Sequence, residues 1–250
     1  MNRIKYFYNK FQRLFAKPPK QIEADLFIKR LRCSVVGDGM LPDGNIYLMD
    51  FAIRNMPQNG IVFEIGSYGG LSTNLMLHLL SKYNRQNDFF GCDAWIYEGY
   101  NDNGIDGKNH IDGRKDIERT AYTDHIKNSF IASARLLHPK KLPFTCHTTS
   151  DDFFEKWDKK EALTDVFGRP FHIHNEKIAF CYIDGDHSLE QTRKDFENVS
   201  SKLLRNGFVL IDDSAKHLPY GSAKFVKEVL KNPDFKLVDA NPNYLFQKIK

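Results

Sequence analysis

Cysteine and tryptophan are sparse in this chain of 250 residues, which holds four Cys and two Trp. The thiols, Cys33, Cys92, Cys146 and Cys181, form no CxxC pair and no zinc-ligand spacing, so neither a disulfide scaffold nor a zinc fold is expected. Three of them fall in apolar segments that read as strands, which points to reduced core thiols in a cytoplasmic protein. No apolar run approaches the ~20 residues that a membrane-spanning helix needs. Residues 1–20 lack the apolar stretch and cleavage site of a secretory signal. They also lack any acid, while six bases stand there: Arg3, Lys5, Lys10, Arg13, Lys17 and Lys20. Without them the formal charge of +4 becomes about −2 for the rest of the chain. No basic stripe is left beyond the N-terminus, so nucleic acid is not an expected partner.

Aromatic residues are plentiful. Twenty Phe and 11 Tyr, within a hydrophobic share of 41%, exclude disorder for the bulk of the chain. In residues 1–16, Ile4, Phe7, Tyr8, Phe11, Leu14 and Phe15 recur at helical spacing with bases between them, and Pro18-Pro19 ends the pattern. Such a helix suits packing on its own domain, a second subunit in a homo-oligomer, or peripheral contact with a membrane surface. Residues 22–32 and 45–55 read as two further helices on either side of a turn from Val36 to Gly44. Residues 1–57 are thus expected to be a helical extension, and 58–250 a single domain.

From residue 60 short apolar runs alternate with helical periodicity. Runs at 61–65, 89–93, 144–147, 178–183 and 208–211 are separated by helical patterns at 70–83, 116–137 and 188–204. The segments 94–115 and 158–177 are long and polar. The chain closes on two runs, 235–238 and 244–249, around Asn241-Pro242-Asn243, which reads as a hairpin. The expected fold is α/β, a doubly wound, mostly parallel seven-stranded Rossmann-like sheet with a C-terminal antiparallel hairpin and the helical N-terminal extension.

In such a sheet the ligand crevice lies at the carboxyl ends of the strands. Nearly every strand here ends in an acid: Glu64, Asp93, Asp151, Asp184 with Asp186, and Asp212-Asp213. Helix capping explains Ser150, Asp151 and Ser188, but not five acidic strand ends together. The turn after the first strand, Gly66-Ser67-Tyr68-Gly69-Gly70, lacks the G-x-G-x-x-G fingerprint because Tyr68 takes the second glycine position, and no P-loop Gly-Lys follows. Asp93 stands about where a carboxylate accepts ribose hydroxyls. A nucleoside with a cationic or zwitterionic tail suits this rim better than a pyrophosphate does.

Four ordered segments, VFEIGSYGGLST (62–73), FFGCDAW (89–95), CYIDGDHSLE (181–190) and GFVLIDDS (207–214), with the closing hairpin, resemble the class I S-adenosylmethionine-dependent methyltransferases. The similarity covers roughly residues 60–250 and is closest to the metal-dependent O-methyltransferases, among them enzymes acting on macrolide sugars. It implies S-adenosyl-L-methionine as cofactor, with Glu64, Gly66, Ser67, Tyr68, Gly70 and Ser72 around its methionine part. Asp93 would serve the ribose, and Ser150 and Asp151 the adenine edge. It further implies Mg²⁺ or another divalent cation on Asp184, Asp212 and Asp213, with His187 beside it and a small-molecule or glycan acceptor. Tyr68 departs from the glycine common in the wider class.

Elementary chemistry agrees with that assignment. Three carboxylates suit a hard divalent ion, which lowers the pKa of a bound hydroxyl. His187 ordinarily titrates near neutrality and can take the released proton. Asp184 and His187 are therefore the catalytic candidates. His187 also fits a plainer place, as a partner of Asp186 or an opening residue of the following helix, and Asp186 is an alternative ligand to Asp184. Trp95, Tyr97 and Tyr100 suit stacking on adenine or core packing, and 101–115 suits a lid. His110, His125, His147 and His217 share no ligand spacing. Competing functions are a non-catalytic nucleoside-binding module and a relative serving another reaction, such as one partnered with hydroxylation. A binding module has no need of all three acids and His187 together, which favours catalysis.

Overall fold

The computed structural model describes residues 20, 28, 39–96 and 119–250. The amphipathic segment 1–16, Cys33, most of the helix expected at 22–32, and Tyr97, Tyr100 and His110 with the rest of 97–118 lie outside the described residues.

Helix α1 (Asp43–Asn55) precedes strand β1 (Ile61–Ile65). Five βα steps follow among the described residues, the first three being β1 with α2 (Leu71–Lys82), β2 (Phe89–Asp93) with α3 (Arg119–Leu137), and β3 (Phe144–His147) with α4 (Ser150–Lys159). A two-stranded hairpin of β4 (Leu163–Thr164) and β5 (Pro170–Phe171) intervenes. Then come β6 (Ile178–Ile183) with α5 (Leu189–Lys202), β7 (Leu203–Ile211) with α6 (Gly221–Val229), and the closing strands β8 (Phe235–Ala240) and β9 (Tyr244–Lys248). The main sheet has seven strands in the order β3-β2-β1-β6-β7-β9-β8. All pairs from β3 to β7 are parallel, while β9 runs antiparallel to both β7 and β8. The doubly wound sheet with its antiparallel end is therefore as expected. The small β4–β5 hairpin occupies the long polar segment 158–177 and was not legible as strand, because two-residue strands carry no periodicity. Strand β7 begins five residues before the apolar run at 208, with Leu203 paired to Ile178 ahead of a register shift that resumes at Phe208.

Strand residues are buried on both sides, and their alternation sorts them into two cores. Val62, Phe180, Tyr182, Phe208 and Leu210 face the layer of α1 and α2, with Leu48, Met49, Leu75, Met76 and Leu79. Phe63, Ile65, Cys181, Ile183, Val209 and Ile211 face the layer that includes α4, α5 and α6, with Phe153, Trp157, Phe196 and Phe225. Helix α1, assigned by the sequence to the N-terminal extension, is packed in the same core as the sheet. The described cysteines, Cys92, Cys146 and Cys181, are buried free thiols, held un-ionised by burial. Among the described residues no helix is long and apolar enough to cross a membrane.

Candidate active site

The chain winds outward in both directions from β1, so the crevice opens where β1 and β6 diverge. A cavity of about 950 Å³ lies there. It gathers Gly66 and Tyr68 from the first turn, Asp93, Ser150 and Asp151, Asp184 and His187, and Asp212 and Asp213. Met40, Trp95, Ile96 and Tyr220 supply apolar wall.

The turn after β1 is held from behind. Gly66 has φ +84°, and a Cβ there would lie 2.0 Å from the Asp184 carbonyl oxygen, so two strand ends meet over this residue. Tyr68 takes φ +45°, a left-handed conformation costing roughly 1–2 kcal/mol for a side chain of this kind. Its backbone N–H donates to Asp93 Oδ2 (2.8 Å), its carbonyl accepts from Trp95 Nε1 (2.9 Å), and its hydroxyl meets that of Tyr122. Asp93 takes two further N–H bonds, from Ser67 (2.7 Å) and Trp95 (2.6 Å). Burial raises its pKa although three backbone N–H groups oppose the shift. Asp93 thus ties the first turn to the second.

Glu64 is placed otherwise than the resemblance implies. It does not border the cavity but lies wholly buried behind the turn, because it shares with Val62 the inward face of β1. Ser67 and Ser72 donate to its two oxygens at 2.7 and 2.6 Å, and Thr73 donates as well. Burial pushes its pKa up to about 7 against these hydroxyls. Ser67 and Ser72 are therefore turned toward Glu64, and they border only a small recess beside Met40. Gly70 opens α2 against Phe130 and Ser133, also away from the cavity.

At the adenine side foreseen from the sequence, Ser150 Oγ donates to Asp195 Oδ1 (2.6 Å), and Asp151 pairs with Lys194 (2.5 Å). Gln191 bridges Ser150, Asp151 and Asp195. Neither Ser150 nor Asp151 caps α4; Thr149 does, accepting from Asp152 N–H (3.1 Å), whereas Ser188 does cap α5. Asp195 is buried on α5, and burial lifts its pKa to about 6. It escaped notice in the sequence although it sits among the inward positions Thr192, Phe196 and Val199, where an acid is out of character.

The ends of β6 and β7 bring Asp184, Asp212, Asp213 and His187 together. Burial raises the pKa of Asp184 well above the ordinary carboxylate range, and the neighbouring Asp212 adds to it. His187 does not pair with Asp186, which instead accepts from Ser188 N–H (2.7 Å). Its ring stands between two acids, Nε2 3.3 Å from Asp184 Oδ1 and Nδ1 3.1 Å from Asp213 Oδ2. Burial works to lower its pKa, but hydrogen bonds and charge from Asp184 and Asp213 outweigh burial and raise it to about 11. His187 therefore carries its proton here, unlike the neutral imidazole foreseen from the sequence. Asn45 and Asn243, both missed in the sequence, reach Asp212 from behind.

The oxygen-rich donor set, with the buried Asp212 carboxylate against the half-buried Asp184, suits a hard divalent cation chemically. Among the described residues, however, no three His, Cys, Asp or Glu side chains are arranged to hold a metal ion. The imidazole occupies the space between Asp184 and Asp213 instead.

Comparison with known proteins adds a family and a set of structural likenesses. Residues 63–214 match the model of a family described as a methyltransferase domain. No curated protein matches the sequence. The fold is similar to the O-methyltransferase NovP (14% identity, TM-score 0.53, covering 98% of this chain and 100% of NovP). It is also similar to TomG from Streptomyces achromogenes, an O-methyltransferase involved in tomaymycin synthesis, solved with S-adenosylmethionine (12%, TM-score 0.52, 100% and 97%). The calicheamicin methyltransferase CalS11 is alike to a similar degree (14%, TM-score 0.51, 91% and 95%).

Proposed function

The chain belongs to the methyltransferase-domain family, and on that premise we propose that it transfers the methyl group of S-adenosylmethionine to a hydroxyl of a sugar, glycan or small natural product, assisted by a divalent cation. The observation that carries this reading is the meeting of Asp184, Asp212, Asp213 and His187 on one wall of the cavity that Gly66, Tyr68 and Asp93 border on the other. That NovP, TomG and CalS11 are described as methyltransferases, two of them O-methyltransferases, supports the oxygen acceptor.

The cofactor's ribose would meet Asp93, whose carboxylate has acceptor capacity beyond its three backbone donors. Its adenine would lie toward Ser150 and Asp151, and its methionine part along Gly66. Asp184, Asp212 and Asp213 would hold the cation, Mg²⁺ or a similar ion. The ion's contribution would be to lower the pKa of a bound hydroxyl and to take the negative charge that now keeps His187 protonated. When bound, S-adenosylmethionine would supply its electrophilic methyl carbon to the hydroxyl oxygen, the carbon–sulfur bonding pair staying on the sulfur of S-adenosylhomocysteine. His187 accepts the hydroxyl proton. Trp95, Ile96 and Tyr220 border the space left for the acceptor. Residues 58–250 form the catalytic domain in this reading. Residues 1–57 are the N-terminal extension in this reading, with its helix α1 sharing the core of the sheet, and the protein acts in the cytoplasm.

The test is transfer of labelled methyl from S-adenosylmethionine to a panel of glycosides and phenols, with Mg²⁺ and with chelator. Mg²⁺-dependent labelling of a hydroxyl is the expected result. Full activity in chelator removes the cation from the reading, and failure of calorimetry to detect S-adenosylmethionine binding removes the reading altogether.

A further inference from the structure

Asp212 is hydrogen-bonded by Tyr182 of the neighbouring strand and by two amides that come from remote parts of the chain. Asn45 lies in the first turn of α1, and Asn243 in the turn between β8 and β9. Both are buried. Asn45 Nδ2 donates to Asp212 Oδ1 at 2.5 Å, and Asn243 Nδ2 donates to the same oxygen. We propose that Asn45 and Asn243 are positioning residues that clamp Oδ1 of Asp212 and thereby present its other oxygen to the active-site rim.

The network itself decides which way each amide points. Asn243 Oδ1 accepts from the backbone N–H groups of Ser214 (3.0 Å) and Ala215 (3.1 Å), which can only donate, so its nitrogen must face Asp212. Asn243 Nδ2 also donates to Asn45 Oδ1 (3.0 Å), which turns the Asn45 nitrogen toward Asp212 in the same way. Neither amide can flip without stranding a buried donor. The supports of the clamp are equally close. A Cβ on Gly44 would lie 1.5 Å from the Asn241 carbonyl oxygen, so the start of α1 is pressed against the β8–β9 turn. Two N–H donors on one oxygen favour the ionised carboxylate beside Asp184. The orientation of a strand-end acid is thus set by a helix before the sheet and by the last hairpin of the chain.

The proposal rests on the rim being the methyl-transfer site, and the experiment separates the two. Full-length protein saturated with S-adenosylhomocysteine is titrated with Mn²⁺ by electron paramagnetic resonance, and S-adenosylhomocysteine affinity is measured by calorimetry. Asn45→Ala, Asn243→Ala and the isosteric Asn45→Asp are compared with the unaltered chain, and Asn45→Asp is crystallised. Mn²⁺ affinity is expected to fall about 10–100-fold in each, with S-adenosylhomocysteine affinity unchanged within about threefold and the Asp212 carboxylate turned. Unchanged Mn²⁺ affinity, or parallel loss of both ligands, overturns the clamp. If the unaltered chain binds no Mn²⁺, the cation reading fails, and the carboxylate in the Asn45→Asp crystal decides: turned, the clamp stands; unmoved, it falls. Should these variants not fold, Asn45→Ser, which keeps a donor, is judged by the same two affinities.

Discussion

Two groups of buried and half-buried acids lie on either side of the crevice, and they solve the same electrostatic problem in opposite ways. Behind the first turn, Glu64 receives three hydroxyls and Asp93 three backbone N–H groups, so each carboxylate is satisfied by neutral donors from the surrounding turn. At the ends of β6 and β7, Asp184 and Asp212 lie against each other, and the nearest cationic group is a single histidine. An acid met wholly by the hydroxyls and backbone N–H groups of the turns around it is built to hold those turns. Acids held against each other call for a cation or a proton, which suits chemistry. The contrast separates acids that hold a turn from acids poised to meet a cation or a proton more surely than pKa does, since Glu64, Asp93, Asp184 and Asp212 all have raised pKa values.

The largest effects should come from the cationic side. His187→Ala is expected to slow methyl transfer by about 10²–10⁴-fold, the range for loss of a general base, while calorimetric affinity for S-adenosylmethionine stays close to that of the unaltered chain. Asp184→Asn removes one charge of the pair and should slow transfer by about 10²–10³-fold, again with the cofactor still bound. Equal activity in either variant would erase the distinction between the two groups. On the other side, Asp93→Ala should weaken cofactor binding by roughly 1–3 kcal/mol and leave three backbone donors without their acceptor. Thermal stability should therefore fall with affinity, a joint loss that neither rim variant should show.

Glu64 sharpens the comparison through pH. Its pKa is raised by folding from 4.5 to about 7, so the folded state binds more protons than the unfolded chain between those values. The stabilisation is fully present below pH 4.5 and is lost as pH rises through 7, amounting to roughly 3 kcal/mol for the full shift. Glu64→Gln should remove this part of the slope, seen as denaturation curves that change less between pH 4.5 and 7 than those of the unaltered protein. An identical slope would mean that Glu64 is not the group responsible. The smallest change is Tyr68→Phe, which deletes the hydroxyl contact with Tyr122 and should cost about 0.5–1.5 kcal/mol of stability.

The sheet is legible in the sequence because its strands are short apolar runs ended by glycine or an acid, and a parallel strand buried on both faces has no other appearance. The strand-end acids are legible for the same reason, since topology alone sends each to the same edge. The placement of Glu64 was not legible. Whether an acid at a strand end faces the crevice or lies behind it depends on the pleat, and Glu64 falls on the face that packs against α2, among Ser67, Ser72 and Thr73. Nor was the protonated state of His187, which follows from two carboxylates at 3.3 and 3.1 Å that lie three and 26 residues away in the chain, respectively.

What the sequence by itself determined, then, is local and periodic: strands, helices, the turn at Gly66, and the order in which acids arrive at one rim. Tertiary structure alone decided which acids are paired and by what. Asn45 and Asn243 are 198 residues apart, one in a helix with no motif and the other in a turn that reads only as a turn, yet they meet on a single oxygen of Asp212. Hydrogen bonds of this kind depend on distance in space and on desolvation, and neither is written in the spacing of residues along a chain.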